Sequence, residues 1–285
     1  MKLGVAIVTM GTRPKELAEL LASVGAQTAP AARVVVVGNG CSVEDLPPWV
    51  ATVQLPENLG VTGGRNAALE VLQDVDLVLD LDDDGLLVSD DVFARIIALF
   101  EADPRLGIVG FRIADESGVT QRRHVPRLRA GDPMRGGLVT GFLGGAHVLR
   151  TKMLQQVGHW PDAFFFAHEE TDIAWRAIDA GWSVLYEPRL LLQHPRTSPA
   201  RHSFFYRVNA RNRVYLARRH LPAVLVPVYL LVWVALTVAR TRSLAGLRAW
   251  FNGFAEGWRT SCGRRRPMRW RTVGRLTALG RPPVI

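Results

Sequence analysis

Apolar runs alternate with amphipathic stretches along the first two thirds of the chain. Val5 to Thr9 predicts a buried strand, and about Pro14 to Val24 predicts a helix. Arg33 to Val37 predicts a second strand, closed by Gly38-Asn39-Gly40. A short strand near Val53 follows, then a glycine-rich turn and a helix from about Gly64 to Leu72. Leu77 to Leu81 predicts another strand, and Asp82, Asp83 and Asp84 stand at its C-terminal end. Asp90 or Asp91 is placed to cap a helix running to about Glu101. Gly107 to Arg112 is the next strand. This rhythm predicts an α/β fold with a Rossmann-like, mostly parallel sheet flanked by helices. Ligands of such open sheets bind beyond the carboxyl ends of the strands, where Thr9, Asn39 and the aspartates fall.

Periodicity is lost from Asp115 to Arg135, a polar stretch holding Arg122, Arg123, His124, Arg127 and Arg129, which predicts a loop or flap. A short strand (Ala146 to Leu149), a helix from about Glu169 to Ala180, and strands near Val184 and Leu191 complete this half. A basic helix, about Arg201 to Arg219, leads into Leu221 to Ala239, nineteen residues without a charge. Leu244 to Trp258 is a further helical stretch, followed by an arginine-rich tail.

Charge changes the picture only at that end. Lys plus Arg exceed Asp plus Glu by nine over 285 residues. From Arg240 to Ile285 there are eleven Arg and one acid, Glu256. The rest is therefore close to neutral, which argues for an anionic partner, such as a lipid surface, at the basic C-terminal region and against a nucleic-acid partner. Two distant cysteines, Cys41 and Cys262, imply no disulfide framework. Leu221 to Ala239 is about long enough to cross a hydrocarbon core of about 30 Å. Basic residues on both flanks and the prolines at 222 and 227 weigh against a simple span. The expectation is monotopic or re-entrant attachment, with Leu244 to Trp258 along the surface and the arginines at anionic headgroups. A helix buried in the domain or in a dimer interface is the competing reading.

Four stretches carry candidate chemistry. Three adjacent carboxylates need solvent, basic partners or a cation. Alternation along extended backbone lets two of them, Asp82 and Asp84, converge on one ion; a solvated turn is the other explanation. In ENLGVTGGRNAAL, Glu57 to Leu69, the glycines Gly60, Gly63 and Gly64 permit close approach at a helix start. Backbone N–H groups there can face a phosphate or sugar, with Arg65 as a cation and Asn66 as a hydrogen-bonding group; an ordinary loop-to-helix turn fits too. In FFFAHEETDIAWR, Glu169, Glu170 and Asp172 crowd a helix start. There the dipole favours acids, and Asp172 and Arg176 can pair. A carboxylate beside an apolar wall can equally serve as a base. His194 follows a strand and can reach the same place as a metal ligand, or be structural.

Taken in order, VAIVTMGTRP, GNG, ENLGVTGGRNAAL, DLDDD and HEETDIAWR resemble the family 2 glycosyltransferases with the A-type (GT-A) fold, over about residues 3 to 220. His194 to Ser198, with Arg211-Asn212 beyond, resembles members that transfer rhamnose or galactofuranose. The resemblance implies a catalytic domain over 1–220, with a nucleotide-sugar-binding half (1–115) and an acceptor-binding half (116–220). The C-terminal hydrophobic helix, amphipathic helix and basic tail would occupy 221–285. It implies Mg²⁺ or Mn²⁺ on Asp82 and Asp84, with His194 as a further ligand. Donor contacts would come from Thr9, Arg13, Asn39, Asn58, Gly60, Gly63, Arg65, Asn66, Asp82 and Asp83. Glu170 would be the base, and Glu169, Asp172, Trp175 and Arg176 would meet the acceptor. The commoner Glu-Asp pair is Glu-Glu here, which leaves Glu169 as the other candidate base.

The expected reaction is inverting transfer from a nucleotide-diphosphate sugar, UDP-galactofuranose before dTDP-rhamnose, to a glycan or polyprenyl-linked acceptor. The expected place is the cytoplasmic face of the cell membrane, in cell-envelope polysaccharide synthesis, by a chain that can form a homo-oligomer. Two other readings stand. MGTRPKEL superficially resembles the signature of a sugar-1-phosphate nucleotidyltransferase, although Val8-Thr9-Met10 replace the glycines that enzyme needs. A noncatalytic membrane-bound sugar-nucleotide sensor would not need metal aspartates, base and histidine together.

Overall fold

Runs of Val, Leu and Ile form strands that are covered on both faces, and such strands assemble into one central sheet. The computed structural model describes residues 1–128, 131–196 and 202–285; Arg129, Ser198 and Arg201 lie outside them. The strands are β1 (Leu3–Thr9), β2 (Arg33–Asn39), β3 (Val50–Leu55), β4 (Leu77–Asp82), β5 (Leu86–Leu87), β6 (Leu106–Ala114), β7 (Gly137–Leu138), β8 (Ala146–Arg150) and β9 (Ser183–Gln193). The helices are α1 (Pro14–Gly25), α2 (Gly60–Val71), α3 (Val92–Ala102), α4 (Thr151–Val157), α5 (Glu169–Asp179), α6 (Ser203–His220), α7 (Leu225–Arg240), α8 (Leu244–Arg259) and α9 (Trp270–Ala278).

The sheet order is β3-β2-β1-β4-β8-β6-β9-β5, with β7 on β9. β3, β2, β1 and β4 run parallel. β8 then enters antiparallel to both β4 and β6, and β5 and β7 are antiparallel to β9. The sheet is therefore mixed, which corrects the expected mostly parallel sheet. β6 and β9 pair parallel and follow helices, but β5, β7 and β8 arrive by loops and pair antiparallel. The expected strands near Val184 and Leu191 are one strand, β9. Its register against β6 jumps between Glu187 and Leu191, around Pro188, which has no N–H to donate.

Side-chain alternation divides the core. Val5, Ile7, Val34, Val36 and Leu79 pack against Leu20, Leu21, Phe93, Ile96 and Phe100 of α1 and α3. Ala6, Val35, Val37 and Val78 face the side that carries α2, α4, α5 and α6. Leu221, Tyr229, Leu230, Cys262, Met268 and Leu276 belong to that second core, so the C-terminal helices pack onto the main body. α8 lies against α6 so closely that a Cβ on Gly253 would strike the Arg207 carbonyl. Arg218 donates to the carbonyls of Gly257 and Thr260, and Thr272 of α9 donates to Asp179 at the end of α5. Among the described residues no helix is long and apolar enough to cross a membrane.

Register sets the site. Thr9 lies level with Gly38, and Val8 with Asp82, so the ends of β1, β2 and β4 share one edge of the sheet. Two local expectations change. α2 begins at Gly60 rather than Gly64, because Asn58 Oδ1 accepts the Gly60 N–H at 2.8 Å. Asp91 precedes α3 but makes no side-chain cap; its carboxylate accepts from Ser89 and Arg95 instead.

Candidate active site

The three aspartates divide as strand alternation requires. Asp83 turns under the β1 loop, where its Oδ2 accepts from Thr9 Oγ1 at 2.6 Å and its Oδ1 from Arg13 at 3.3 Å. Burial pushes its carboxyl up, against the pull of Thr9 and Arg13. Asp82 and Asp84 approach His194 beyond the end of β9, while Asp84 Oδ2 also accepts at 2.5 Å from the Arg13 Nη1 that reaches Asp83. Ligand atoms of Asp82, Asp84 and His194 all lie within 4.8 Å of one another. Burial raises the Asp84 carboxyl, but His194 and Arg13 outweigh it and hold it below its ordinary value.

His194 Nδ1 is 2.8 Å from the Pro195 carbonyl, which assigns Nδ1 as the donor and leaves the Nε2 lone pair pointing at the carboxylates. Nε2 lies 3.0 Å from Asp84 Oδ1 and 3.9 Å from Asp82 Oδ2. Asp84 Oδ1 is buried and accepts no well-formed hydrogen bond. Acceptors aimed at one another need a proton or a cation between them. Neighbouring ligands of an octahedral ion with bonds of about 2.1 Å stand about 3 Å apart, as these two atoms do. The donor set, two carboxylates and an imidazole, suits Mn²⁺ well and Mg²⁺ in its oxygen positions.

The acidic pair opens α5. Phe165, Ala167 and His168 before it have φ of 62°, 68° and 72°. Non-glycine residues hold such angles only where their surroundings over-determine them. Here Asn212 Nδ2 donates to the carbonyls of Phe164, Phe166 and Ala167, and Arg211 donates to those of Ala163 and Phe164. Phe165 O in turn accepts the Val61 N–H of α2 at 2.7 Å.

Glu169 is only 2% exposed, with Arg65 Nη1 3.6 Å from its Oε1 and no partner for its Oε2. Burial, then the neighbouring Glu170 charge, push its pKa up to about 8. Glu170 is part-exposed and reaches over the Gly144-Gly145 turn: a Cβ on Gly144 would lie 2.6 Å from its Oε1. A Cβ on Gly145 would lie 2.9 Å from Asp82 Oδ2. The two glycines thus form a floor on which Asp82 and Glu170 come together.

Several expected donor and acceptor contacts are placed elsewhere. Asn39 is buried and locks its own neighbourhood, donating to Gly60 O and Asn58 Oδ1 and accepting from Leu59 N–H. The first two N–H groups of α2 are taken by Asn58 and Phe165, so they do not point at an open phosphate site. Gly60 has φ 74° and packs its α-carbon on Phe165, while Gly63 packs on Leu59. Arg65 lies beneath the site, 5% exposed, bonded to Gly144 O at 2.7 Å and stacked on Trp160 at 4.7 Å. Asn66 ties α2 to Trp160 and Asp162.

Asp172 is fully buried and accepts from Arg176 (2.7 Å), Arg219 (2.8 Å) and His220 (2.5 Å). Burial alone would raise its carboxyl, but His220, Arg176 and Arg219 hold it far below the usual range. Arg176 is spent on Asp172 and on the carbonyls of Val157, Gly158 and His159. Trp175 is 7% exposed and packs edge-on to His220. These three residues join α5 to α6 and α4, and Trp175 also lines a small cavity beside α5. Of the expected set, the open cleft keeps Arg13, Asn58, Asp82 and Glu170, lined from behind by Thr9, Asp83, Asp84, Glu169 and His194.

The sequence reading missed Asp80, His147 and Trp160. Asp80 sits in β4 with both flanking residues buried; its Oδ2 is 3.1 Å from His147 Nε2 and its Oδ1 3.7 Å from Arg65. A carboxylate inside the apolar run Leu77–Asp82 was a legible signal. Nothing in the sequence marked His147, whose ring packs tilted against Phe142 and edge-on to Trp160.

The fold and sequence have known counterparts. No curated protein matches the sequence. Among solved structures, GalNAc-T7 with UDP, GalNAc and Mn²⁺ superposes with a TM-score of 0.65 at 12% identity over 91% of this chain, which spans 56% of that one. The 1–349 fragment of S. aureus TarS in complex with UDP gives 0.62 at 19% identity, covering 90% of this chain and 80% of that one. A mannosyltransferase from Pyrobaculum calidifontis in complex with GDP-Man and Mn²⁺ gives 0.57 at 17%, covering 97% and 79%. At these identities the likeness establishes the fold, that of the GT-A glycosyltransferases. A sequence model of the family described as Glycosyl transferase family 2 matches residues 5–158, more than half of the chain. The strand-end aspartates and the β1 loop lie inside that match, and the chain belongs to glycosyl transferase family 2.

Proposed function

We propose that this transferase moves a sugar from a nucleotide-diphosphate donor, with inversion, to a hydroxyl of a glycan or lipid-linked acceptor, using a divalent ion held by Asp82, Asp84 and His194. The observation that carries the reading is the buried, unpartnered Asp84 Oδ1 facing His194 Nε2, beside the Glu170 carboxylate. When bound, the ion supplies positive charge against the diphosphate as it leaves. Arg13 and the β1 loop border the same edge, where Asn58 is open to the nucleotide. Glu170 takes the proton from the attacking hydroxyl on the face opposite the diphosphate. Burial and then the neighbouring Glu170 raise the Glu169 pKa to about 8, so Glu169 is largely protonated at neutral pH and is poorly placed to act as the base. The strained turn held by Asn212 fixes both at the cleft floor. Family membership sets aside the nucleotidyltransferase reading, and a noncatalytic sensor would have no use for the poised Glu170.

The triple aspartate together with His194 favours UDP-galactofuranose over dTDP-rhamnose as donor. The apolar face left open on α7, with Val224, Val228, Leu231 and Val238 exposed, supports attachment to the cytoplasmic membrane face. Leu244, Trp258 and Trp270 extend it beside the tail arginines. Such a position suits a polyprenyl-linked acceptor of envelope polysaccharide. The test is a thermal-unfolding screen of sugar nucleotides with Mn²⁺, Mg²⁺ or EDTA. A shift for one donor that needs the ion, and product of inverted anomeric configuration by NMR, support the proposal; equal protection in EDTA overturns the metal dependence.

A further inference from the structure

One residue before the acidic pair, the chain turns into a small cavity of about 30 Å³ on the side of α5 away from the aspartates. It is walled by His168 and Thr171, by Arg213 of α6, by Tyr229 and Trp233 of α7, and by Arg281 of the C-terminal segment. Two guanidiniums approach it, and no carboxylate side chain among the described residues forms an ion pair with either. Arg213 is held in place by neutral groups: Asn209 Oδ1 at 3.1 Å, the Tyr229 hydroxyl at 3.5 Å, and the Trp233 ring 3.2 Å below its guanidinium carbon. The Arg281 guanidinium has no hydrogen bond or ion pair among the described residues, and partial burial pushes its pKa down against a weaker upward pull from Tyr229. Arg213 is pushed down by burial and, in part, by Arg281 itself.

Both arginines are partly exposed, and a partly desolvated cation gains from an anionic partner. Two further polar atoms are left over in the same wall: His168 Nε2 and Trp233 Nε1 are both buried and without a partner. An indole N–H can only donate, and a neutral imidazole donates from Nε2 in one tautomer. Burial and then Arg213 keep His168 neutral. The cavity therefore presents two guanidiniums and two N–H donors, with Thr140, Thr171 and Ile285 also in its wall; Arg213 already donates to Asn209 and Tyr229, while Arg281, His168 Nε2 and Trp233 Nε1 have no acceptor among the described residues. A volume of about 30 Å³ holds two or three water-sized groups, so a phosphate would place part of its four oxygens inside and the rest at the mouth.

We propose that this cavity binds a phosphate group carried by the acceptor, and so fixes the acceptor beside Glu170. This deepens the proposed transfer reaction and rests on it for the word acceptor; the anion site itself stands on the unpaired donors alone. The position fits that use. His168 is adjacent in sequence to Glu169, and Thr140 and Gly141 lead directly into the Gly144-Gly145 floor under Glu170. The donor diphosphate has its own place at Arg13 and the aspartates, so a second phosphate site is needed only by the other substrate. The C-terminal segment, through Arg281, then closes the acceptor side of the site.

The experiment is calorimetric titration of the full chain with two probes, inorganic phosphate and glycerol 3-phosphate, in EDTA so that the metal-dependent site is silent. Wild type is expected to bind both, one per chain. Arg281→Gln, which breaks no bond within the protein, is expected to weaken both by about tenfold or more. Asp84→Asn is expected to leave both unchanged. Binding of inorganic phosphate alone would overturn the acceptor assignment and leave a free-anion site. Equal binding by Arg281→Gln, or no binding by wild type, would overturn the site. Loss in Asp84→Asn would place the phosphate at the aspartates instead. None of these readouts depends on turnover, so failure of the transfer proposal, seen as no donor-dependent product, is separately visible.

Discussion

His194 Nε2, carried to the site by the end of β9, stands 3.0 Å from Asp84 Oδ1, two residues past the end of β4, although 110 positions separate them in the chain. Two strands of the sheet, β8 and β6, lie between their parent strands, and both loops curl back over the same edge. The imidazole and the carboxylate converge only because those loops extend past the sheet, and their meeting with Asp82 gathers three groups that could hold a metal ion.

Asp84→Asn keeps the shape of that residue and removes its charge. The expected result is loss of ion-dependent donor binding and a fall in turnover of about 10²-fold or more, since the ion's charge is lost at the leaving group. Far-UV circular dichroism should be unchanged. Full activity of wild type in EDTA, or of the variant with metal, would contradict the assignment.

Glu170→Gln keeps the size and removes the proton acceptor. Donor affinity is expected near wild type and kcat lower by about 10²-fold or more. If Glu169→Gln shows the large kcat loss while Glu170→Gln does not, the buried residue is the base.

Glu169 makes stability depend on pH. Its folded pKa, about 8, is raised above the ordinary 4.5, chiefly by burial. The folded state therefore holds the proton more tightly than the unfolded chain. That contribution is fully present below about pH 4.5 and is lost as pH rises through about 8. Glu169→Gln should raise Tm relative to wild type more at pH 9 than at pH 6. An identical difference at the two values would show that the carboxyl does not titrate there.

Asp172→Asn tests a scaffold rather than an acceptor contact. It leaves Arg176, Arg219 and His220 facing a neutral group in a buried place. The expected cost is about 3–5 kcal/mol in urea unfolding, with KM for any acceptor changed little in the fraction that folds. A large acceptor KM effect at unchanged stability would return Asp172 to the acceptor site.

Vesicle co-sedimentation tests the membrane reading. Binding to vesicles containing anionic lipid is expected at low salt, weakened by about 0.5 M NaCl and by Leu231→Asp. Equal recovery in the supernatant with and without anionic vesicles would refute it.

The local order of elements was legible in the sequence because it depends on short-range periodicity. Val5 to Thr9 and Leu77 to Leu81 could only be buried strands, and the pattern of DLDDD, through side-chain alternation, already separated Asp83 from Asp82 and Asp84. The alternation ends with the strand, and the structure keeps it: Asp83 turns to Thr9 while its neighbours turn to His194. What periodicity cannot encode is which face of a helix meets which neighbour. Arg65, Asp172, Trp175 and Arg176 belong to stretches that resemble a nucleotide-sugar site, yet a single helical turn decides whether a side chain points to the cleft or to the core. For Asp172 that turn put it against Arg219 and His220, which the chain supplies 47 and 48 residues later. The antiparallel entry of β8, the meeting of His147 with Asp80, and the cavity shared by His168 and Arg281 are likewise contacts between distant segments. They arise from the closing of the core, where a group deprived of water must find whatever partner the fold brings near, and only the tertiary structure determines which partner that is.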